Sequence, residues 1–288
     1  MLLNFPFLGA QKTQKLTPIE SEKSVGLIAG SGPFPFEFVR CAKDAGYKVV
    51  AVCIKGEASL ALPKEVDSAI WIRLGELGTI VQSFTQWNVK QIALAGGISF
   101  TSYLKAFFSL DQMGKEFRRK LSNTHDDNIM RELANELGRH GIEVIACTAF
   151  MTESLASIGL ITSRAVTDLE TQDIELGRKA ISAMAEFHIG QVVVVRQGRI
   201  VAVEGAEGTD RAIIRGGKVA KSGAVVVKMS KPGQDLRFDV PTIGPKTVAS
   251  MKKAKVRVLA IEANKTLIVN KPEVIRLANL GGMTIVGI

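Results

Sequence analysis

The first regular pattern along the chain is a short apolar run, Val25-Gly26-Leu27-Ile28-Ala29, broken by Gly30-Ser31-Gly32-Pro33. A run of that length bounded by turn residues predicts a buried strand. Residues 34–45 then read as a helix stopped by Gly46, and KVVAVCI (Lys48–Ile54) as a second strand. Strand, turn, helix and strand in that order open an α/β layer structure. QIALA (Gln91–Ala95) predicts another strand, ending at Gly96-Gly97. Residues 126–140 place Ile129, Met130, Leu133 and Leu137 on one helical face before Gly141, and residues 142–147 return to strand character.

The second half begins after a polar stretch at residues 162–173. A helix is expected over about residues 169–187, followed by strands at 191–195 and 199–204 that Gln197-Gly198 joins as a hairpin. Residues 224–228 and 236–240 read as strands, and the end alternates helix and strand at 247–254, 258–262, 266–269, 272–280 and Thr284–Gly287. The chain divides into an extension at 1–23, an α/β domain at 24–155 and a second α/β domain at 156–288, with the boundary inside 150–165.

Composition narrows the class. The 288 residues are 46% hydrophobic and 23% charged, an ordinary balance for a globular enzyme. No apolar run reaches the ~18–20 residues that span a bilayer. The three cysteines (Cys41, Cys53, Cys147) are odd in number and widely spaced, which fits a reducing cytoplasm better than a disulfide framework. The three histidines have no paired zinc spacing. The leading MLLNFPFLGA lacks a basic start and a small-residue cleavage site, so it does not read as a signal peptide.

Charge adds an asymmetry. The net charge is +9, with 17 basic against 15 acidic residues in 1–150 and 20 against 13 in 151–288. A basic half calls for an anionic partner. With 6% aromatic residues and neither a zinc-finger nor an RNA-binding signature, nucleic acid is not expected. A phosphorylated ligand or an anionic membrane surface remains.

Three segments carry candidate chemistry. Gly30, Ser31 and Gly32 follow a strand, where glycines let the backbone approach phosphate or sugar. The dinucleotide pattern fails, because Pro35 stands where its third glycine belongs and no acidic residue closes the second strand, where Ile54 leads into Lys55-Gly56-Glu57. An ordinary tight turn fits equally well. Glu204, Glu207 and Asp210 put three carboxylates within seven residues beside Thr209, a group able to hold Mg²⁺ or simply to form an acidic turn that caps a helix. In KMSKPGQDLRFDVPTIG, prolines bracket residues 235–240, and a strand there would set Asp235, Arg237 and Asp239 on one face and Leu236, Phe238 and Val240 on the other. The two acids would stand roughly 13 Å apart in a straight strand. One would then serve as ligand or base while the other orients Arg237, whose fork suits phosphate.

These segments resemble the LpxI-type UDP-2,3-diacylglucosamine pyrophosphatases of lipid A biosynthesis. The likeness rests on GLIAGSGPFPFEFV (26–39), HDDNIMREL (125–133), TQDIELGR (171–178), IGQVVVVRQGRIVAVEGAEGTD (189–210), KPGQDLRFDVPTIG (231–244) and the run from Ala260 to Gly287. It implies an amino-terminal Rossmann-like domain and a carboxy-terminal α/β domain with a mixed sheet, meeting at a cleft. It implies Mg²⁺-dependent cleavage of UDP-2,3-diacylglucosamine into UMP and 2,3-diacylglucosamine 1-phosphate (lipid X), with water attacking the sugar-side phosphorus. It further implies a cytoplasmic homodimer, transiently peripheral to the inner membrane.

Carried over by motif, Asp235, Arg237 and Asp239 are the catalytic residues, and Asp235, Asp239, Glu204, Glu207 and Asp210 the metal-binding set. Gly30, Ser31, Gly32, Thr209, Lys228, Lys231 and Gln234 are the expected substrate contacts. After QIALA the family usually has a Gly-Lys element followed by Arg-Pro, whereas this chain reads Gly96-Gly97-Ile98-Ser99-Phe100-Thr101-Ser102. The alternative function is a non-catalytic sensor of nucleotide sugars or phospholipids. One further pattern concerns acyl chains: Phe100, Tyr103, Leu104, Phe107 and Phe108 form a near-helical stripe, which suits a core face and also a lipid groove.

Overall fold

Strands β1 (Ser24–Ala29), β2 (Lys48–Ile54), β3 (Ser68–Ile72), β4 (Gln91–Ala95) and β5 (Glu143–Val144) form an all-parallel sheet in the order β3-β2-β1-β4-β5. This computed structural model describes residues 23–106, 109–122, 126–187 and 189–288. The near-continuous apolar character of β2 follows from burial on both faces, as parallel sheets require. On one face α1 (Phe34–Asp44) packs Phe38, Val39 and Ala42 against Leu27, Val49 and Ala51. On the other, α2 (Leu77–Gln86) supplies Ile80 and Phe84 against Val50, Val52 and Ile92. Helix α3 (Phe100–Ala106) follows β4, α4 (Gln112–Lys120) packs near α2, and α5 (Asp126–Arg139) adds Ala134 and Leu137 to the second face. The chain order reverses between β1 and β4, the position at which doubly wound sheets open a crevice.

The second sheet is mixed. It runs β6-β13-β11-β9-β7-β8, built from β6 (Gly159–Leu160), β7 (Val192–Arg196), β8 (Arg199–Val203), β9 (Val225–Lys228), β11 (Val258–Ile261) and β13 (Thr284–Gly287). β9, β11 and β13 are parallel, whereas β7 is antiparallel to both β8 and β9. β10 (Thr242–Ile243) and β12 (Leu267–Ile268) make a small parallel pair. Helix α6 (Asp168–Met184) covers one face through Ile174 and Ile181. Helices α7 (Thr209–Ala220), α8 (Pro245–Lys253) and α9 (Lys271–Leu280) cover the other through Ile213, Val248, Met251 and Val274. Gln197 and Gly198 both take positive φ, 50° and 72°, as a two-residue hairpin turn demands. Buried Asp173 accepts both of their N–H groups at 2.8 and 2.6 Å, which gives the TQDIELGR segment a structural task.

The two-domain α/β architecture agrees with the expectation, and most elements fall within two residues of their sequence positions. Three differences stand out. β3, β6, β10, α2 and α4 have no counterpart in the sequence reading. The strand expected over 142–147 contracts to β5 and gives way to a 3₁₀ turn at Cys147–Phe150.

The most consequential difference is that residues 235–240 are not a strand. Phe238 N–H donates to Asp235 O at 3.1 Å and Asp239 N–H to the same oxygen at 3.4 Å, which winds the segment into a turn. Its apolar residues explain why. Leu236 and Val240 enter the core on the α1 face of the first sheet, and Phe238 joins the core on the opposite face. A carboxy-terminal loop thus straddles the amino-terminal sheet, and inserting side chains into two cores overrides the alternation of a strand.

The leading segment 1–22, together with Phe107, Phe108, His125 and His188, lies outside the described residues. Of the aromatic stripe, Tyr103 is half-buried, and the side chains of Phe100 and Leu104 are likewise outside the description. Among the described residues no helix is long and apolar enough to cross a membrane.

Candidate active site

Sheet register collects the polar residues. β7 is antiparallel to β9, so Val192 pairs with Lys228 and places Gln191 at the same edge. The β7–β8 register brings Glu204 to that edge too, with Glu204 N–H donating to Val192 O at 2.8 Å. Ile261 pairs with Lys228, which adds Glu262. Residues separated by up to 71 positions therefore meet where β9 and β11 end.

Lys228 is the centre of this cluster. It is 6% exposed, and its Nζ donates to Thr209 Oγ1 at 2.9 Å. Thr209 donates in turn to Glu204 Oε1 at 2.9 Å, and Glu204 Oε2 accepts the Gln191 N–H at 2.9 Å. Burial lowers the ammonium pKa, while Glu204, Asp239 and Asp210 oppose that shift electrostatically. A buried charge survives only when opposite charges face it, and three carboxylates do so here. Asp239 accepts from Gln191 Nε2 at 2.9 Å and from Gln234 Nε2 at 2.6 Å. The two amides fix that carboxylate on the side of Lys228.

The loop after β9 is pinned from below. Glu262 accepts both the N–H (2.9 Å) and the hydroxyl of Ser230, and Lys265 Nζ at 2.7 Å. Burial alone would raise the Glu262 pKa, yet the bonds from Lys265 and Ser230 hold it below the usual carboxylate value. Lys231 N–H donates to Gln234 Oε1 at 2.7 Å, closing the turn that presents Gln234.

Asp235 and Arg237 form a separate unit. Arg237 Nε reaches the two Asp235 oxygens at 3.0 and 3.1 Å, and its NH2 group reaches Oδ2 at 2.7 Å. The hydrogen bond from Arg237 leads the causes that hold the Asp235 pKa below the ordinary range. Arg237 also stacks over the Phe238 ring at 4.9 Å. Its side chain is 42% exposed and borders a cavity of about 390 Å³ against α5 and β5, lined by Asn135, Gly138, Gly141 and Glu143. The turn thus divides the motif, with Asp239 facing Lys228 and the Asp235–Arg237 pair facing α5.

The other expected metal-binding residues are dispersed in their bonding. Glu207 pairs with Arg215 and accepts Gly205 N–H at 3.0 Å, while Asp210 pairs with Lys246 at 3.2 Å. Among the described residues no group of three or more His, Cys, Asp or Glu side chains gathers as a metal site.

The amino-terminal turn is built from close backbone approach. Gly30 N–H donates to Ala95 O at 2.9 Å, and Ser31 and Gly97 exchange backbone bonds at 2.8 and 3.1 Å. A Cβ on Gly30 would run into the Gly97 carbonyl, and one on Gly96 would lie 2.6 Å from the Gly30 carbonyl carbon. Gly32 differs: its φ is +91° and its missing Cβ points into open space. Gly30, Ser31 and Gly32 therefore sit at the switch crevice of the first sheet.

Sequence reasoning missed Gln191, Glu57, Ser99 and Ser102. Gln191 opens a strand, where it reads as an ordinary polar flank. Its Oε1 is buried with no hydrogen-bond partner among the described residues. Glu57 accepts Ser99 N–H at 3.0 Å and the Ser99 hydroxyl. An acid three residues beyond the second strand was the available signal.

The amino-terminal half, residues 24–154, matches the profile of the LpxI N-terminal domain, and residues 157–286 match that of the LpxI C-terminal domain. A relative from Caulobacter vibrioides, UDP-2,3-diacylglucosamine pyrophosphatase LpxI, is 26% identical over 277 residues, covering 92% of this chain and 98% of its own. Among solved structures, N5-carboxyaminoimidazole synthetase from Staphylococcus aureus with ADP shares 12% identity and a TM-score of 0.28 over 72% of this chain and 47% of its own. Biotin carboxylase from Campylobacter jejuni shares 16% identity and a TM-score of 0.28 over 69% and 42%. This chain spans less than half the length of either solved structure, and scores at that level carry no argument.

Proposed function

The chain belongs to the LpxI family, and on that premise we propose that it hydrolyses the diphosphate of UDP-2,3-diacylglucosamine to UMP and 2,3-diacylglucosamine 1-phosphate. The enzyme is a phosphoric-anhydride hydrolase acting in lipid A biosynthesis. The observation that supports this chemistry best is the Lys228 cluster, where a buried cation, a hydroxyl and fixed carboxylates meet at one sheet edge.

A diphosphate ester needs its charge neutralised, a positioned water and a stabilised leaving group. Asp239, held by two amides and turned toward Lys228, is placed to accept a proton from the attacking water. The water oxygen bonds to the sugar-side phosphorus, the bridging P–O bond breaks, and UMP leaves with that bond's electron pair. Arg237, whose Nε and Nη2 are held by Asp235, would reach non-bridging oxygens through its remaining N–H groups, by turning from the α5 side toward the cluster. Lys228 contributes fixed positive charge without the reorganisation that water would need.

Mg²⁺ belongs to the same reading. Gln191 touches Asp239 through Nε2 and Glu204 through its backbone N–H, and its Oε1 is buried with no hydrogen-bond partner among the described residues, so these neighbouring residues carry oxygens of the kind a hard cation takes. Asp239, Glu204 and the Gln191 carbonyl would hold the ion. Glu207 and Asp210, engaged with Arg215 and Lys246, would join only by giving up those partners. When bound, Mg²⁺ would polarise the phosphoryl oxygens.

Cytoplasmic residence, transient contact with the inner-membrane surface and a homodimer complete the proposal. UMP release from UDP-2,3-diacylglucosamine, assayed with and without Mg²⁺, tests it. In ¹⁸O water the label should enter lipid X and not UMP. Label in UMP reverses the assignment of nucleophile and leaving group, and binding without turnover favours the sensor.

A further inference from the structure

Loops leaving β1, β2 and β4 bring one carboxylate and several hydroxyls together at the switch point of the first sheet. Glu57 belongs to the loop after β2 but turns back toward the crevice, with its N–H bonded to Ile54 O at 3.1 Å. Its Oε1 accepts the Ser99 N–H at 3.0 Å and the Ser99 hydroxyl, and the Ser99 hydroxyl lies 3.1 Å from that of Ser102. Ser31, from the glycine turn, donates to Gly97 O at 2.9 Å and lies close enough to Glu57 to help lower its pKa. Burial alone would raise the Glu57 pKa, and bonds from Ser102, Ser99 and Ser31 outweigh it, so the group is anionic at neutral pH. None of these side chains takes part in the Lys228 cluster.

The chemistry of this group is specific. A carboxylate offers about four acceptor sites, while serine hydroxyls donate and accept by rotation. Incoming hydroxyls can therefore replace the serine bonds without leaving the carboxylate unpaired. In doubly wound sheets an acid beyond the second strand accepts ribose hydroxyls, while the glycine turn before the first helix faces the phosphates. Gly32, open to solvent, leaves room for that approach.

We propose that Glu57, with Ser31, Ser99 and Ser102 around it, is the subsite for the 2′,3′-diol of the nucleotide ribose. The inference rests on the hydrolase reading above for its ligand. In that substrate the glucosamine is acylated at positions 2 and 3, so the ribose carries its one pair of free hydroxyls on adjacent carbons. The amino-terminal domain would then grip the leaving nucleotide, and the carboxy-terminal cluster would act on the bond.

The test is calorimetric titration of the full chain and of Glu57→Gln with UMP, 2′-deoxy-UMP and glucosamine 1-phosphate, alongside hydrolysis kinetics. Wild-type protein should bind UMP about tenfold or more tightly than 2′-deoxy-UMP, the discrimination expected of a hydrogen bond to a charged acceptor. Glu57→Gln should weaken UMP about tenfold, leave 2′-deoxy-UMP within about threefold, and raise KM with kcat near wild type. Undiminished hydrolysis with an unchanged preference in Glu57→Gln overturns the subsite and leaves the hydrolase standing. Diol-selective UMP binding without hydrolysis does the reverse. An effect on glucosamine 1-phosphate in place of UMP overturns the ribose assignment. Should Glu57→Gln fail to fold, the wild-type ratio of UMP to 2′-deoxy-UMP decides alone.

Discussion

The switch crevice of the first sheet and the Lys228 cluster of the second both form where parallel strands end, but they are made of different material. The crevice is knitted from backbone: Gly30 bonds Ala95, Ser31 and Gly97 bond each other, and hydroxyls surround a single carboxylate. The cluster is knitted from charge, with buried Lys228 set among Glu204, Asp210 and Asp239. Backbone and hydroxyl groups suit recognition of a ligand that arrives neutral or diffusely charged. Fixed, desolvated charges suit stabilising charge that develops during a reaction. On the proposed reading the first domain would hold the nucleotide and the second carry the chemistry, with the 231–240 loop reaching from one to the other.

The largest expected effect tests that division at the cluster. Asp239→Ala should lower kcat by about 10³-fold, the scale of losing a preorganised group in the transition state. Melting should stay within a few degrees of wild type, because Asp239 is exposed and Glu204 and Asp210 still face Lys228. Near-wild-type turnover at saturating Mg²⁺ would remove Asp239 from the mechanism.

Asp235→Ala should cost less, about 10²-fold in kcat, because Asp235 acts through Arg237 in this arrangement. Its loss should also raise KM, since the freed guanidinium no longer holds one direction. Equal losses for the two aspartates would show that the turn does not separate their roles.

At the crevice the expected effect is on stability. Gly30→Ala forces a Cβ against the Gly97 carbonyl and should cost about 2 kcal/mol, the usual price of overpacking. Gly32→Ala meets open space and pays only for its positive φ, about 1 kcal/mol. Thermal melts of the pair should rank them in that order; the reverse order would mean that the two backbones do not approach as described.

The smallest effect sharpens the cluster's support. Glu262 has a folded pKa below its ordinary value near 4.5, so its stabilisation is present above that pH and is lost as pH falls through the folded value. Glu262→Gln should be less stable at pH 7 by about 1 kcal/mol, and the difference should vanish in acid. Denaturant titrations in steps from pH 7 into acid measure it. A difference that does not shrink as pH falls would assign the loss to packing.

Much of the candidate site was legible because it lies in short segments whose chemistry is local. Glu204 to Asp210 and Gln234 to Asp239 stand out by composition, and Gly30 to Gly32 by position after a strand. What was illegible came from elsewhere in the chain. Gln191 enters the cluster only through the β7–β9 register, and Glu57 meets Ser99 only because β2 and β4 flank β1. Neither juxtaposition leaves a mark at short range.

The sequence by itself determined the alternation of strands and helices, the hairpin at Gln197-Gly198 and the division into two α/β halves. Apolar runs, turn residues and helical spacing are local properties, and each constrains its own segment. The tertiary structure alone decided the shape of residues 235–240. Their alternation favours a strand, but Leu236 and Val240 gain one core and Phe238 another on opposite faces of the first sheet. Burying three apolar side chains at about 25 cal/mol per Å² outweighs the weak preference of an unpaired six-residue strand. That turn faces Asp239 toward Lys228 and leaves Asp235 with Arg237, because side-chain burial in a neighbouring domain fixed the backbone that carries them.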